Sequence, residues 1–106
     1  MDREELLSHH DELCKMAKQL MEKKNHDYAG QGGNEPFANF TRTEAMGVCT
    51  TEQGFLVRVV DKVSRMSTFT SAGKLEVENE TVEDAIVDII NYMVLFSAYL
   101  KDKDKS

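Results

Sequence analysis

Residues 81–100 read TVEDAIVDIINYMVLFSAYL, and this stretch decides the fold. Val82, Ala85, Ile86, Val87, Ile89, Ile90, Tyr92, Met93, Val94, Leu95, Phe96, Ala98, Tyr99 and Leu100 run almost all the way round a helical wheel. A helix apolar on nearly every side is buried, in its own chain or in an oligomer. Set into that surround are Asp84, Asp88 and Asn91, at i, i+4 and i+7, within a sector of about 60° at 100° per residue. Two carboxylates one turn apart repel, and burial makes that worse unless a cation or donor compensates. The stripe demands a positive partner. Thr81-Val-Glu-Asp84 is a capping-box pattern with Asp in place of Glu, so the helix starts near Thr81 and runs through Leu100, roughly 30 Å long.

Working outward, two more long helical patterns and one short one account for most of the chain. The first runs from Arg3 to Lys24, with Leu6, Leu13, Met16, Ala17, Leu20 and Met21 at three- and four-residue spacings. The sequence from His26 to Pro36, rich in glycine, breaks it. Phe37 to Met46 fits a short helix turning Phe37 and Phe40 inward. The next long helix starts near Thr51, N-capped by Thr50 or Thr51, and ends before Gly73, a C-cap. Phe55, Leu56, Val59, Val60, Val63 and Met66 cover its apolar face. No stretch alternates with period two, so the expectation is an all-α compact helical bundle without a sheet. Residues 1–100 form one domain and 101–106 a charged flexible tail.

Composition narrows the function. The chain has 106 residues, 30% of them charged, and a net charge of −6. An acidic protein is a poor partner for a nucleic-acid polymer, although a local basic cluster suffices for a small phosphorylated ligand. No apolar run reaches a membrane span, and Met1 is followed by Asp-Arg-Glu-Glu rather than a signal peptide, which predicts a cytoplasmic protein without a membrane partner. Cys14 and Cys49 lack a metal spacing, and Cys14 reads as a partly buried small hydrophobe. His9 and His10 point about 100° apart on a helix and read as a solvated face. The stretch from Gly30 to Gly33 lacks the Gly-Lys-Ser/Thr ending of a phosphate-binding loop and reads as a connector.

Arg58, Asp61, Lys62 and Arg65 share one face of the Thr51 helix and supply the partner for the acidic stripe. Two readings of that edge follow. In one, Arg58, Lys62 and Arg65 pair with Asp84 and Asp88 as an ion-pair lock between helices. In the other, Asp61, Asp84, Asp88 and Asn91 hold Mg²⁺ while the basic groups hold phosphate.

Lys24-x-x-Asp27-Tyr28, Phe37-Ala-Asn39-Phe40, Val57-Arg58-x-x-Asp61-Lys62-x-x-Arg65 and Glu83-Asp84-x-x-x-Asp88-x-x-Asn91-Tyr92 occur in this order. In this the chain resembles the small phage "nucleotide modification associated" helical proteins, which are similar in turn to the MazG-like all-α NTP pyrophosphohydrolases. The resemblance covers Lys24 to Leu100. It implies a MazG-like bundle completed by oligomerisation, as a homodimer or higher homo-oligomer, binding nucleoside phosphates between helices. It also implies ligand contacts at Lys24, Asp27, Tyr28, Asn39, Arg58, Lys62, Arg65, Asn91 and Tyr92. MazG-like enzymes carry E-E-x-x-E and E-x-x-D motifs. Here Asp88-x-x-Asn91 takes the place of the second, Asp61 is the candidate match to one acid of the first, and cations stand where further acids would help. Cations in those places favour phosphate over metal. The expected function is therefore binding of a small nucleotide, in phage nucleotide metabolism or by sequestering a defence nucleotide. The alternative is a Mg²⁺-dependent NTP pyrophosphohydrolase with Asp61, Asp84 and Asp88 as catalytic metal ligands. Tyr92, Met93, Phe96, Tyr99 and Leu100 are the expected subunit interface.

Overall fold

The structure, a computed structural model, describes residues 1–28, 35–75 and 81–105, with side chains at all of these but 25–28. It contains helices α1 (Arg3–Tyr28), α2 (Ala38–Ala45), α3 (Thr51–Ala72) and α4 (Val82–Asp104). No strand occurs among the described residues. The all-α expectation holds, down to three long helices and one short.

Local chemistry sets the helix ends. Asp2 Oδ1 accepts from the Glu5 N–H at 2.8 Å and opens α1. Thr50 and Gln53 form a reciprocal capping box on α3, the Gln53 N–H donating to Thr50 Oγ1 at 3.1 Å and the Thr50 N–H to Gln53 Oε1 at 3.0 Å. Thr81 and Asp84 repeat the device on α4. Gly73 closes α3 at φ +76°, its N–H donating to the Phe69 carbonyl at 2.7 Å, a left-handed position that suits glycine.

Two boundaries differ from expectation. Helix α1 continues past Lys24 to Tyr28, because no Gly or Pro interrupts 25–28. Helix α4 continues through Asp104, so most of the expected flexible tail is helical. Lys101 and Lys103 occupy its last turn, where cations suit the helix dipole, and Lys103 Nζ lies 3.3 Å from Glu52 Oε2.

The core is an aromatic cluster. Phe55 is fully buried and stacks on Phe40 with ring centroids 4.1 Å apart. Phe96 meets Phe55 edge-on at 5.3 Å, Tyr92 meets Phe40 at 6.2 Å, and Tyr99 lies against both Phe55 and Phe37. Helix α4 is the central element, with α3 packed along it and α1 resting on it. Pairing of Glu52 with Lys103 at one end and Lys62 with Asp88 farther along makes α3 and α4 antiparallel.

This packing corrects the expected faces. Turning Phe55 and Lys62 toward α4 rotates Leu56, Val60 and Val63 outward, where they are 51%, 65% and 50% exposed. On α4, Tyr92, Phe96 and Tyr99 are spent on the intrachain cluster, while Met93, Val94 and Leu100 face out. Among the described side chains of α1 only Ala17 is buried, Leu6 and Met16 are exposed, and so is Cys14, whose Sγ lies 3.7 Å from His10 Nδ1. Among the described residues no helix is long and apolar enough to cross a membrane.

Candidate functional site

The central acid is Asp88, on the buried side of α4. Two lysines reach it from opposite neighbours. Lys24 Nζ of α1 lies 3.0 Å from Oδ1, and Lys62 Nζ of α3 lies 3.0 Å from Oδ2. Burial pushes the Asp88 carboxyl up, but hydrogen bonds and charge from Lys24 and Lys62 outweigh it and hold the group below its usual value. One turn along, the Asn91 side-chain amide donates to the Ala17 carbonyl of α1 at 2.9 Å, inside the protein. Asp88 and Asn91 together tie α4 to both flanking helices.

Beside this clamp is a cleft lined by residues that include Lys24, Asn39, Phe40, Arg58, Asp88, Asn91 and Tyr92. Its enclosed volume is about 30 Å³, the room of one or two waters. The Arg58 guanidinium lies over the Phe40 ring, 5.9 Å from the centroid. Lys24 and Lys62 both pair with Asp88, and Arg58 lines the same cleft, so among the described residues three cations gather near one carboxylate.

The expected residues divide accordingly. Lys24, Asn39, Arg58, Asp88, Asn91 and Tyr92 come together, and Lys62 joins them through Asp88. Asp84 does not. Its carboxylate accepts from the Thr81 N–H at 2.9 Å and is committed to capping α4. Asp61 points to solvent and pairs with Arg65 on its own helix, Oδ2 to Nε 3.5 Å, so neither side chain lines the cleft. The four oxygen ligands expected for Mg²⁺ are thus not gathered, and no group of three His, Cys, Asp or Glu side chains among the described residues is placed to hold a metal ion. The side chains of Asp27 and Tyr28, and the stretch from Gly30 to Gly33, lie outside the described residues.

Sequence reasoning paired Asp88 with the α3 cations and missed that Lys24 shares it. The signal was faint: Lys24 falls on the same wheel face as Ala17 and Leu20, where a lysine needs an acid to sit against the core. Met21, Pro36 and Leu95, which complete the cleft wall, carried no chemical signal at all. Comparison with known proteins finds no matching family model, no similar curated protein and no similar solved structure.

Proposed function

We propose that the cleft between α1, α2, α3 and α4 binds a small phosphorylated ligand of the nucleoside phosphate class. The carrying observation is that Lys24 and Lys62 meet on the buried Asp88 carboxylate while Arg58 lines the cleft beside it. A phosphate bears more charge than Asp88 and accepts more hydrogen bonds, so it competes for the two ammonium groups, while Arg58 forks onto its free oxygens. A space of about 30 Å³ is too small for a base, so on this reading the nucleoside lies outside it. Lys24, 38% exposed, is the arm with room to move. On this reading the protein holds its ligand without chemistry, as a protein that sequesters a nucleotide would.

A thermal-shift panel of nucleoside mono-, di- and triphosphates and inorganic phosphate, with and without Mg²⁺, tests the proposal. Ligand at a hundred times Kd stabilises by about 2.7 kcal/mol. For a domain of this size that is a shift of about 10 °C or more. Arg58→Ala, at an exposed position, removes the shift and leaves the unliganded melting temperature nearly unchanged. Chromatography of heat-released ligand separates holding from hydrolysis: intact nucleotide supports sequestration, and pyrophosphate release supports the Mg²⁺-dependent enzyme.

A second reading has its own support. Both Asp88 oxygens are already met by a lysine, which is what a purely structural lock requires. Absence of a shift with every nucleotide and with phosphate decides for the lock.

A further inference from the structure

The chain exposes far more surface than its mass calls for. Its accessible area is 7887 Å² for 12.0 kDa. A folded monomer of this mass is expected to expose roughly 6,000 Å², an excess of about 1,900 Å². Permanent interfaces cover about 1,000–2,500 Å² on each partner, so the excess, to which the exposed residues 1–12 of α1 also contribute, leaves room for one such contact.

The outer face of α3 is the exposed apolar surface best suited to such a contact. Leu56, Val57, Val60 and Val63 are 51%, 62%, 65% and 50% exposed. They continue into exposed Gln53, Ser64 and Ser67, and Cys49 lines the same shallow groove. At 100° per residue these α3 positions span an arc of about 120°. None is charged, in a chain with 30% charged residues. The charges at the margins are neutralised within the chain, Asp61 by Arg65 on one side and Glu52 by Lys103 on the other.

We infer that this face is the contact between two copies of the chain, related by a two-fold axis passing near Val60. Two molecules each carrying −6 repel over most of their surfaces. The α3 stripe lets them meet where neither brings an unpaired charge. Spacings of three and four residues through Gln53, Leu56, Val57, Val60, Val63 and Ser64 seat one helix in the grooves of its copy. A two-fold contact is self-complementary, which an uncharged stripe satisfies without any second recognition surface. The contact lies on α3, not on the α4 residues Tyr92, Phe96 and Tyr99, which the aromatic cluster consumes. It is independent of the ligand reading.

Light-scattering mass measurement at tens of micromolar tests it. The wild-type protein gives twice the chain's 12.0 kDa. Val60→Glu gives a single-chain mass, while Met93→Glu, on the exposed side of α4, keeps the doubled mass. A wild-type monomer, a Val60→Glu dimer, or a dimer broken by Met93→Glu each overturns the inference. If Val60→Glu loses its helical circular dichroism, a 1:1 mixture with Val60→Lys decides: recovery of helix and doubled mass supports a contact across Val60, and failure to recover refutes it.

Discussion

Replacing Asp88 by Asn keeps the shape of the clamp and removes its charge. Asn Oδ1 accepts from one lysine, but its NH₂ then meets the other lysine donor to donor. The two lysines do not suffer equally. Lys24 is 38% exposed and turns into water at little cost, whereas Lys62 is 15% exposed and keeps its charge in a largely dry place. Stranding one partner of a buried pair costs about 3–5 kcal/mol, and the exposure of Lys24 removes much of its share. The expected loss is about 2–3 kcal/mol, most of it from Lys62. That corresponds to about 10–20 °C in melting temperature for a domain of this size. Urea unfolding followed by helical circular dichroism, at matched protein concentration, measures it. Lys24→Met alone costs under about 1 kcal/mol, and adding Lys62→Met to Asp88→Asn restores over half of the loss by removing the stranded charge. A loss below about 0.5 kcal/mol for Asp88→Asn would refute the two-lysine clamp as a stabilising device.

The remaining expectations concern pH, core and caps. The folded Asp88 carboxyl is held below its usual value of 3.8, so the unfolded chain takes up its proton first as pH falls. The clamp's contribution is therefore full above about pH 5 and is lost as pH drops through the folded pKa. Urea midpoints from pH 7 to pH 2.5 should show the gap between wild type and Asp88→Asn closing only at the acid end. Phe55→Ala empties the fully buried centre of the aromatic cluster and costs about 3–5 kcal/mol by urea unfolding. Thr81→Ala removes half of the α4 capping box and costs about 1 kcal/mol, yet leaves any nucleotide-induced thermal shift unchanged, because Asp84 faces the cap and not the cleft.

Helix existence and caps were legible in the sequence because they depend on neighbours a few residues apart. Thr50, Gly73 and Thr81 announced their ends correctly, and the 3.6-residue period marked the three long helices. Which way a helix turns was less legible. Helix α3 carries apolar residues on two sides, and period alone does not say whether Phe55 or Val60 faces the core. The aromatic rings decide it, since Phe40, Phe96 and Tyr99 reach Phe55 only in the observed rotation. The acidic stripe was misread for a related reason. Asp84, Asp88 and Asn91 do lie in one line, but Asp84 stands in the first turn, where a carboxylate gains more from free backbone N–H groups than from a neighbouring helix. Its capping pattern was visible; that capping and site-building exclude each other for one carboxylate was the missing step.

The uneven anchoring of α1 has a consequence for how the molecule comes apart. Among the described residues its only buried side chain is Ala17, residues 1–12 are exposed throughout, and its polar ties to α4 include Asn91 to Ala17 and Lys24 to Asp88. The aromatic contacts among the described residues, by contrast, join α2, α3 and α4. Native-state amide exchange should therefore resolve two tiers, with α1 amides opening in a partial event of lower free energy and those around Phe55 exchanging only on global unfolding. Asp88 sits on the seam between the tiers. Each excursion of α1 strips Lys24 from it and leaves Lys62, so one carboxylate couples the least durable helix to the most durable part of the fold.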